Sequence, residues 1–239
     1  MSTGLVISVP GVDWSNKNLG ILLAVPDGAE YLAKYNSMDD LARNLVPGKS
    51  PATVTGAPII QEGGGAAFSR NVNYLSLGLL PGTWSAYTVI AVARAPAASN
   101  ARWCTIVGNW GANSVQGGGG FLALESTATN FRLRARSSNS PLIQPTISGL
   151  PAGTLFTAGM VATADKTDAY RIMNGELSKD SSTQSASKGW GDKSLYVGHT
   201  PGEVNTVEIV IHACAVYSRS LAQAEFEAVS RQLIALAGL

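Results

Sequence analysis

Trp110 lies in Gly-Asn-Trp-Gly-Ala-Asn and Trp190 in Lys-Gly-Trp-Gly-Asp-Lys. An indole set among such residues can stack on the apolar face of a sugar while nearby amides and carboxylates bond its hydroxyls. Trp103, Trp110, Asn113, Trp190 and Asp192 are therefore candidate ligand contacts. The same indoles would equally serve to anchor loops or to pack on another subunit. Trp84, just ahead of a β-rich run, is expected in the core. A second constellation is Arg132, Arg134 and Arg136, which alternate with Phe131, Leu133 and Ala135. On a strand this spacing sends three guanidinium groups to one face, where their forks suit phosphorylated glycan, an acidic protein neighbour or nucleic acid. A solvated face that discourages edge-to-edge pairing is the plainer explanation.

Catalytic chemistry is poorly provided for. Glycoside hydrolysis needs two carboxylates at a set separation, whereas Glu125 and Glu208 are isolated acids and Asp165 and Asp168 fall at an expected turn. His199 and His212 are the two histidines, and no nucleophile elbow or other triad context accompanies them. A zinc site would have to recruit His212 and Cys214 with ligands that the sequence does not identify. Asp165, Asp168, Asp180 and Asp192 are oxygen donors for calcium, but they form no loop signature. The expectation is a protein that binds rather than catalyses, without a committed cofactor or metal.

The elements that must position these residues read as β. The 239 residues are 45% hydrophobic and only 14% charged, with 26 glycines, 11 prolines and a net charge of +1. That balance excludes a disordered solvating chain and argues against binding that depends on neutralising many phosphates. No apolar run approaches the ~20 residues needed to cross a bilayer. The start, Met-Ser-Thr-Gly-Leu-Val-Ile-Ser, lacks the features of a secretory signal, so synthesis in the cytoplasm is expected. Cys104 and Cys214 both sit in apolar runs and are expected as buried free thiols. Strands are predicted over 5–9, 19–25, 72–80, 86–94, 102–109, 120–126, 130–136, 154–163, 169–174, 194–198 and 207–217, separated by turn-forming clusters. Asn174-Gly175 predicts a two-residue hairpin, and Gly117–Gly120 a loop ahead of a strand rather than a phosphate cradle. A helix is predicted from Leu221, with Ser220 and Gln223 as a capping box, and a shorter one over 37–45.

The series of strand motifs from Ala86 onward resembles the laminin-G-like jelly roll of the concanavalin A-like lectin/glucanase superfamily. The matching residues are Tyr217, Arg219, Leu221, Ala224 and Glu225, together with the Asn174-Gly175 hairpin followed by Leu195-Tyr196-Val197-Gly198. The family's usual serine at the helix cap falls on Ala222, which would move the cap to Ser220. Residues 42–58 resemble the lead-in of phage and prophage proteins that carry such a domain. The resemblance implies an all-β concanavalin A-like jelly-roll β-sandwich with a short C-terminal α-helix. The jelly roll would span 50–239, with 1–49 as an extension or first strands packing on the sandwich or a neighbour, in one compact unit. It further implies a non-enzymatic bacteriophage virion protein, a tail- or fibre-associated lectin-like module for host-surface glycan. Alternatives are a purely structural capsid-decoration or tail component and, more distantly, a glycoside hydrolase. Its partners would be other virion proteins, copies of itself and host-surface carbohydrate, without nucleic acid or membrane insertion.

Overall fold

The computed structural model describes residues 22–69, 72–97, 103–109, 119–127, 129–136, 144–183, 190–191, 193–199 and 208–239. The strands in chain order are β1 (Ala29–Lys34), β2 (Thr53–Thr55), β3 (Ile59–Ile60), β4 (Ala66–Phe68), β5 (Tyr74–Ser76), β6 (Tyr87–Arg94), β7 (Trp103–Gly108) and β8 (Phe121–Ser126). There follow β9 (Phe131–Arg136), β10 (Thr146–Leu150), β11 (Leu155–Ala162), β12 (Lys166–Met173), β13 (Glu176–Thr183), β14 (Tyr196–Val197) and β15 (Ile209–Tyr217), and then helix α1 (Gln223–Ala237). All strand pairings are antiparallel and build two sheets. The first runs β13-β12-β11-β6-β15-β4-β3, with β1 alongside the C-terminal half of β15; the second runs β10-β9-β8-β7-β14-β5-β2. The fold is an all-β jelly-roll sandwich with one short α-helix among the described residues, as the sequence predicts.

Between the sheets lies a core of Tyr31, Phe68, Tyr87, Phe131, Leu133, Ile106 and their neighbours, and a second apolar layer separates the first sheet from α1. One irregularity makes both layers possible. Ile211 pairs with Ala93 and Ala213 with Val92, so His212 is an extra residue in β15 and the side-chain alternation changes phase there. Ile209, Ile211, Cys214 and Val216 consequently enter the inter-sheet core, whereas Ala213, Ala215 and Tyr217 face the helix layer. His212 is buried, with neither ring nitrogen hydrogen-bonded. Burial, aided by the Arg94 charge, pushes its pKa down and keeps the ring neutral. Cys104 and Cys214 are free buried thiols on opposite sheets, and burial pushes Cys104 up to about 12.

Helix α1 lays Phe226, Val229, Leu233 and Ala237 on the first sheet, and the Phe226 ring stacks on Tyr170 at 4.6 Å. Its start differs from the predicted one. Ala222, not Ser220, is the N-cap residue and has no side-chain acceptor to offer; instead the Glu225 carboxylate accepts the Ala222 N–H at 2.8 Å. Arg219 donates to both oxygens of that carboxylate, at 3.0 and 2.7 Å, and to the Asp27 carbonyl at 3.0 Å. The Tyr-x-Arg-x-Leu and Ala-Glu residues are thus a mechanical joint between β15, α1 and the segment before β1, contributing about 1 kcal/mol at this exposure.

Several expectations near the N-terminus need correction. The predicted strand over 5–9 lies outside the described residues, and 22–25 is irregular because Gln232 of α1 bonds Leu22 and Ala24 instead of a sheet. The helix expected over 37–45 is reduced to a 3-10 turn at Met38–Asp40. The Asn44 side chain bonds the carbonyls of Glu30 and Ser50 and the N–H groups of Leu32 and Val46, which fixes a non-helical path. Residues 29–34, within the segment expected as an extension or first strands packing on the sandwich or a neighbour, form β1 of the first sheet. The Asn174-Gly175 hairpin forms as predicted, with φ of 51° and 79° and Met173 opposite Glu176.

At the rim of the helix layer, Asp168 on β12 meets Lys166 at 2.9 Å and Lys179 at 3.1 Å. Burial pushes its carboxyl up, but hydrogen bonds from Ser181, Lys166 and Lys179 and the Lys179 charge outweigh this and hold it below the ordinary aspartate value of 3.8. A carboxyl depressed in the folded state contributes stability above its unfolded pKa and loses it as pH falls through the folded one. Acidification below about pH 4 is therefore expected to lower the thermal midpoint of the wild type more steeply than that of Asp168→Asn. Parallel slopes in a melting series would contradict this.

Candidate functional site

The outer face of the second sheet is organised by register. Along one row Val54, Leu75, Val197, Val107, Leu122 and Ala135 stand opposite one another and all turn into the core. The neighbouring row, Thr53, Ser76, Tyr196, Gly108, Phe121 and Arg136, must therefore turn outward. Farther along the same face Thr105, Ala123, Arg134 and Thr146 form a second row, and Trp103, Glu125 and Arg132 a third. The outer face of the first sheet is covered by α1, so these rows belong to the face without a helix.

Arg132, Arg134 and Arg136 alternate with the buried Phe131, Leu133 and Ala135 as predicted. The structure adds a carboxylate: Glu125 of β8 accepts from Arg132 Nε at 2.5 Å and from Arg134 Nη1 at 2.8 Å. Burial pushes Glu125 up, while the hydrogen bonds and charges of the two arginines outweigh it and hold the carboxyl below the usual range. Glu125 thus sets the spacing of the Arg132 and Arg134 guanidinium groups, two cations that share one carboxylate. Arg134 lies 5.2 Å from the centre of the Trp103 indole, which also meets the Phe121 ring edge-on at 5.6 Å. Small Ala123, between Thr105 and Arg134 in the register, leaves room for the indole and guanidinium to converge. Trp103, Arg134, Glu125 and Arg132 therefore make one continuous platform with a π face, bidentate donors and an acceptor.

Farther across the sheet, Tyr74 stacks on His199 at 4.5 Å, and Tyr196 meets both rings edge-on. Sequence reasoning missed this cluster, and it read Glu125 as an isolated acid. The alternation within Phe-Leu-Ala-Leu-Glu-Ser does place Glu125 on the outer face, but its arginine partners emerge only from the β8–β9 register.

The other sequence candidates are distributed differently. Trp190 is only 6% exposed and packs edge-on against Tyr87 at 5.3 Å, so its indole anchors a loop in the core and presents no face to a sugar. Trp84 packs partly buried against the same core. Trp110, Asn113 and Asp192 lie outside the described residues. Asn109, beside Trp110 in the sequence, is fully buried: its amide nitrogen donates to the carbonyls of Trp190 and Lys193, and its oxygen accepts from Gly120. Among the calcium candidates, Asp168 is held by lysines and Asp180 accepts the Thr146 N–H. Among the described residues no three His, Cys, Asp or Glu side chains come together as a metal set, and the Glu125 carboxylate is held by Arg132 and Arg134. Nor does any described helix have the length and apolarity to cross a membrane.

These features define an all-β jelly-roll sandwich whose second sheet presents an open face of aromatic and arginine side chains. No family model and no curated protein matches the chain. Solved structures do. The receptor-binding domain of botulinum neurotoxin D is 13% identical with a TM-score of 0.62, over 87% of this chain and 54% of that one. The binding domain of botulinum neurotoxin DC in complex with SialylT is 11% identical with a TM-score of 0.59, over 88% and 52%. The same domain in complex with rat synaptotagmin II is 10% identical with a TM-score of 0.59, over 88% and 52%. At this identity the likeness is one of fold, and the chain spans about half the length of those proteins.

This finding corrects the resemblance to laminin-G-like phage and prophage proteins. Structures that share the arrangement include toxin receptor-binding domains, and the expected virion role, whether tail fibre or capsid decoration, does not hold. The expected partnership with other virion proteins falls with it, as does localisation in a virion made in a host cytoplasm. The physical reason lies in the residues that carried the likeness. Tyr217, Arg219, Leu221 and Glu225 tie a final strand to a helix, a task that any jelly roll of this shape sets, whatever it serves.

Proposed function

We propose that the chain is a non-enzymatic, lectin-like recognition module that binds acidic carbohydrate on a cell surface through the open face of its second sheet. The observation that carries this reading is the platform of Trp103, Arg134, Glu125 and Arg132. An indole can cover the apolar face of a sugar ring, while guanidinium N–H groups beyond those given to Glu125 engage a carboxylate or sulfate. The toxin receptor-binding domains of the same fold, one in complex with SialylT, support a recognition role outside the cell. Protein recognition is the second reading, favoured by the synaptotagmin II complex of a fold neighbour and by the abundance of tryptophan and arginine at protein hot spots.

Binding of the purified chain to immobilised sialylated, sulfated and neutral glycans tests the proposal. Trp103→Ala is expected to weaken binding to an acidic glycan by about 2 kcal/mol, some thirtyfold. Arg134→Ala should weaken it comparably and flatten its salt dependence. Equal retention of neutral and acidic glycans, or unchanged binding by both variants, would refute the platform as the site.

A further inference from the structure

A cavity of about 340 Å³ opens where the chain crosses from β1 to β2, at the edge of the second sheet opposite the arginines. Glu30, Lys49, Ser50, Thr53, Ser76 and Leu79 line it, within the size range of small-molecule sites. We propose that this cavity is a second binding site and that its ligand is a neutral polyhydroxyl compound, a single uncharged sugar residue.

Charge decides the ligand class. Lys49 Nζ sits 2.6 Å from Glu30 Oε2, and these two are the charged groups of the lining. An anion entering would face the Glu30 carboxylate, and a cation the Lys49 ammonium, each without an uncompensated partner. A ligand whose every polar group both donates and accepts satisfies the pair together, and a polyol is such a ligand. Thr53 and Ser76 stand opposite each other in the register and add two hydroxyls of the same dual character. The carbons of Pro51 and Leu79 offer an apolar surface for ring C–H groups.

The walls are also set in advance. Ser218 donates to the second oxygen of Glu30 at 3.0 Å. The Asn44 amide ties the carbonyls of Glu30 and Ser50 together at 2.9 and 3.0 Å while accepting from Leu32 and Val46. The loop carrying Lys49 and Ser50 is thereby clipped to β1, so a ligand would not have to order it, and that lowers the entropic cost of binding. The cavity shares no residue with the Trp103 platform: its sheet lining belongs to β2 and β5, and β14 lies between β5 and β7, the strand of Trp103. It stands or falls separately.

Saturation-transfer NMR on the full chain with methyl glycosides of glucose, galactose and N-acetylglucosamine tests it. At least one glycoside is expected to receive saturation from the wild type and from Trp103→Ala. The double variant Thr53→Val, Ser76→Ala should weaken that glycoside about tenfold while keeping the wild-type melting temperature. Should it not fold, Lys49→Met, which breaks the charge pair from the solvent side, takes its place with the same expected loss. Absence of transfer to all three glycosides from the wild type would overturn the proposal, as would transfer undiminished in the pocket variant. Transfer lost in Trp103→Ala would also overturn it, by assigning the sugar to the sheet face. The acidic-glycan assay on the Trp103 variant reads the other site alone.

Discussion

Asn109→Ala is expected to lower the free energy of unfolding by about 3–5 kcal/mol. This buried amide makes three bonds at once: to the Trp190 carbonyl at 2.8 Å, to the Lys193 carbonyl at 3.1 Å and from the Gly120 N–H at 2.7 Å. Truncation removes all three partners and leaves backbone groups in or near the core without water to replace them, each costing roughly 1–3 kcal/mol. Against a typical domain stability of about 5–15 kcal/mol, that loss is a large fraction. Asn109→Asp preserves the acceptor for Gly120 but turns both donor bonds into contacts between a carboxylate and carbonyl oxygens, so it should be no milder. Urea denaturation followed by tryptophan fluorescence measures both, because Trp190 is the residue that this amide holds in place. A midpoint within a few tenths of a molar of the wild type would show that the three bonds are dispensable.

The second large effect is a coupling. A methyl group at Gly159 on β11 would lie 2.0 Å from Phe226 Cε2, a distance that no packed pair of carbons sustains. Gly159→Ala should therefore force the Phe226 ring, and with it α1, away from Tyr170, costing about 2–3 kcal/mol. Phe226→Ala should cost about 3–5 kcal/mol through lost burial and the void left behind. Combined, the two substitutions should cost less than their sum, since with the ring gone the added methyl meets open space and the strand no longer carries glycine's entropic penalty. A double-mutant cycle giving strict additivity would show that the ring does not define the space above Gly159.

What the sequence discloses follows from how each strand is buried. β9 reads cleanly because one face is core and the other solvent, so Phe131, Leu133 and Ala135 alternate with arginines. β1 escapes because Ala29 and Leu32 enter the helix layer while Tyr31 and Ala33 enter the inter-sheet core. A strand buried on both faces has no alternation to detect, and its irregular pairing between Ala29 and Tyr31 disturbs the pattern further. Strands β2 to β5 span two or three residues each, too short for any period to register. Of the platform, Trp103 and the arginines were individually legible as candidates. Their convergence was not, because it spans two strand spacings and depends on the extra residue Ile106, which shifts Thr105 relative to Val107. Trp190 shows the converse: its polar neighbourhood suggested a surface loop, while the Asn109 clamp draws the indole inward.

The position of β15 has a consequence for how the protein must be made. This strand pairs along one side with β6 and along the other with β4 and β1, and in chain order it comes after every other described strand of the sandwich. Until residues 209–217 emerge, three finished strands each keep an open row of backbone donors and acceptors, and α1 has no complete surface on which to settle. Closure of the first sheet therefore waits on contacts that span Ala29 to Tyr217, and the nascent chain is exposed to strand-pairing with its neighbours until β15 arrives.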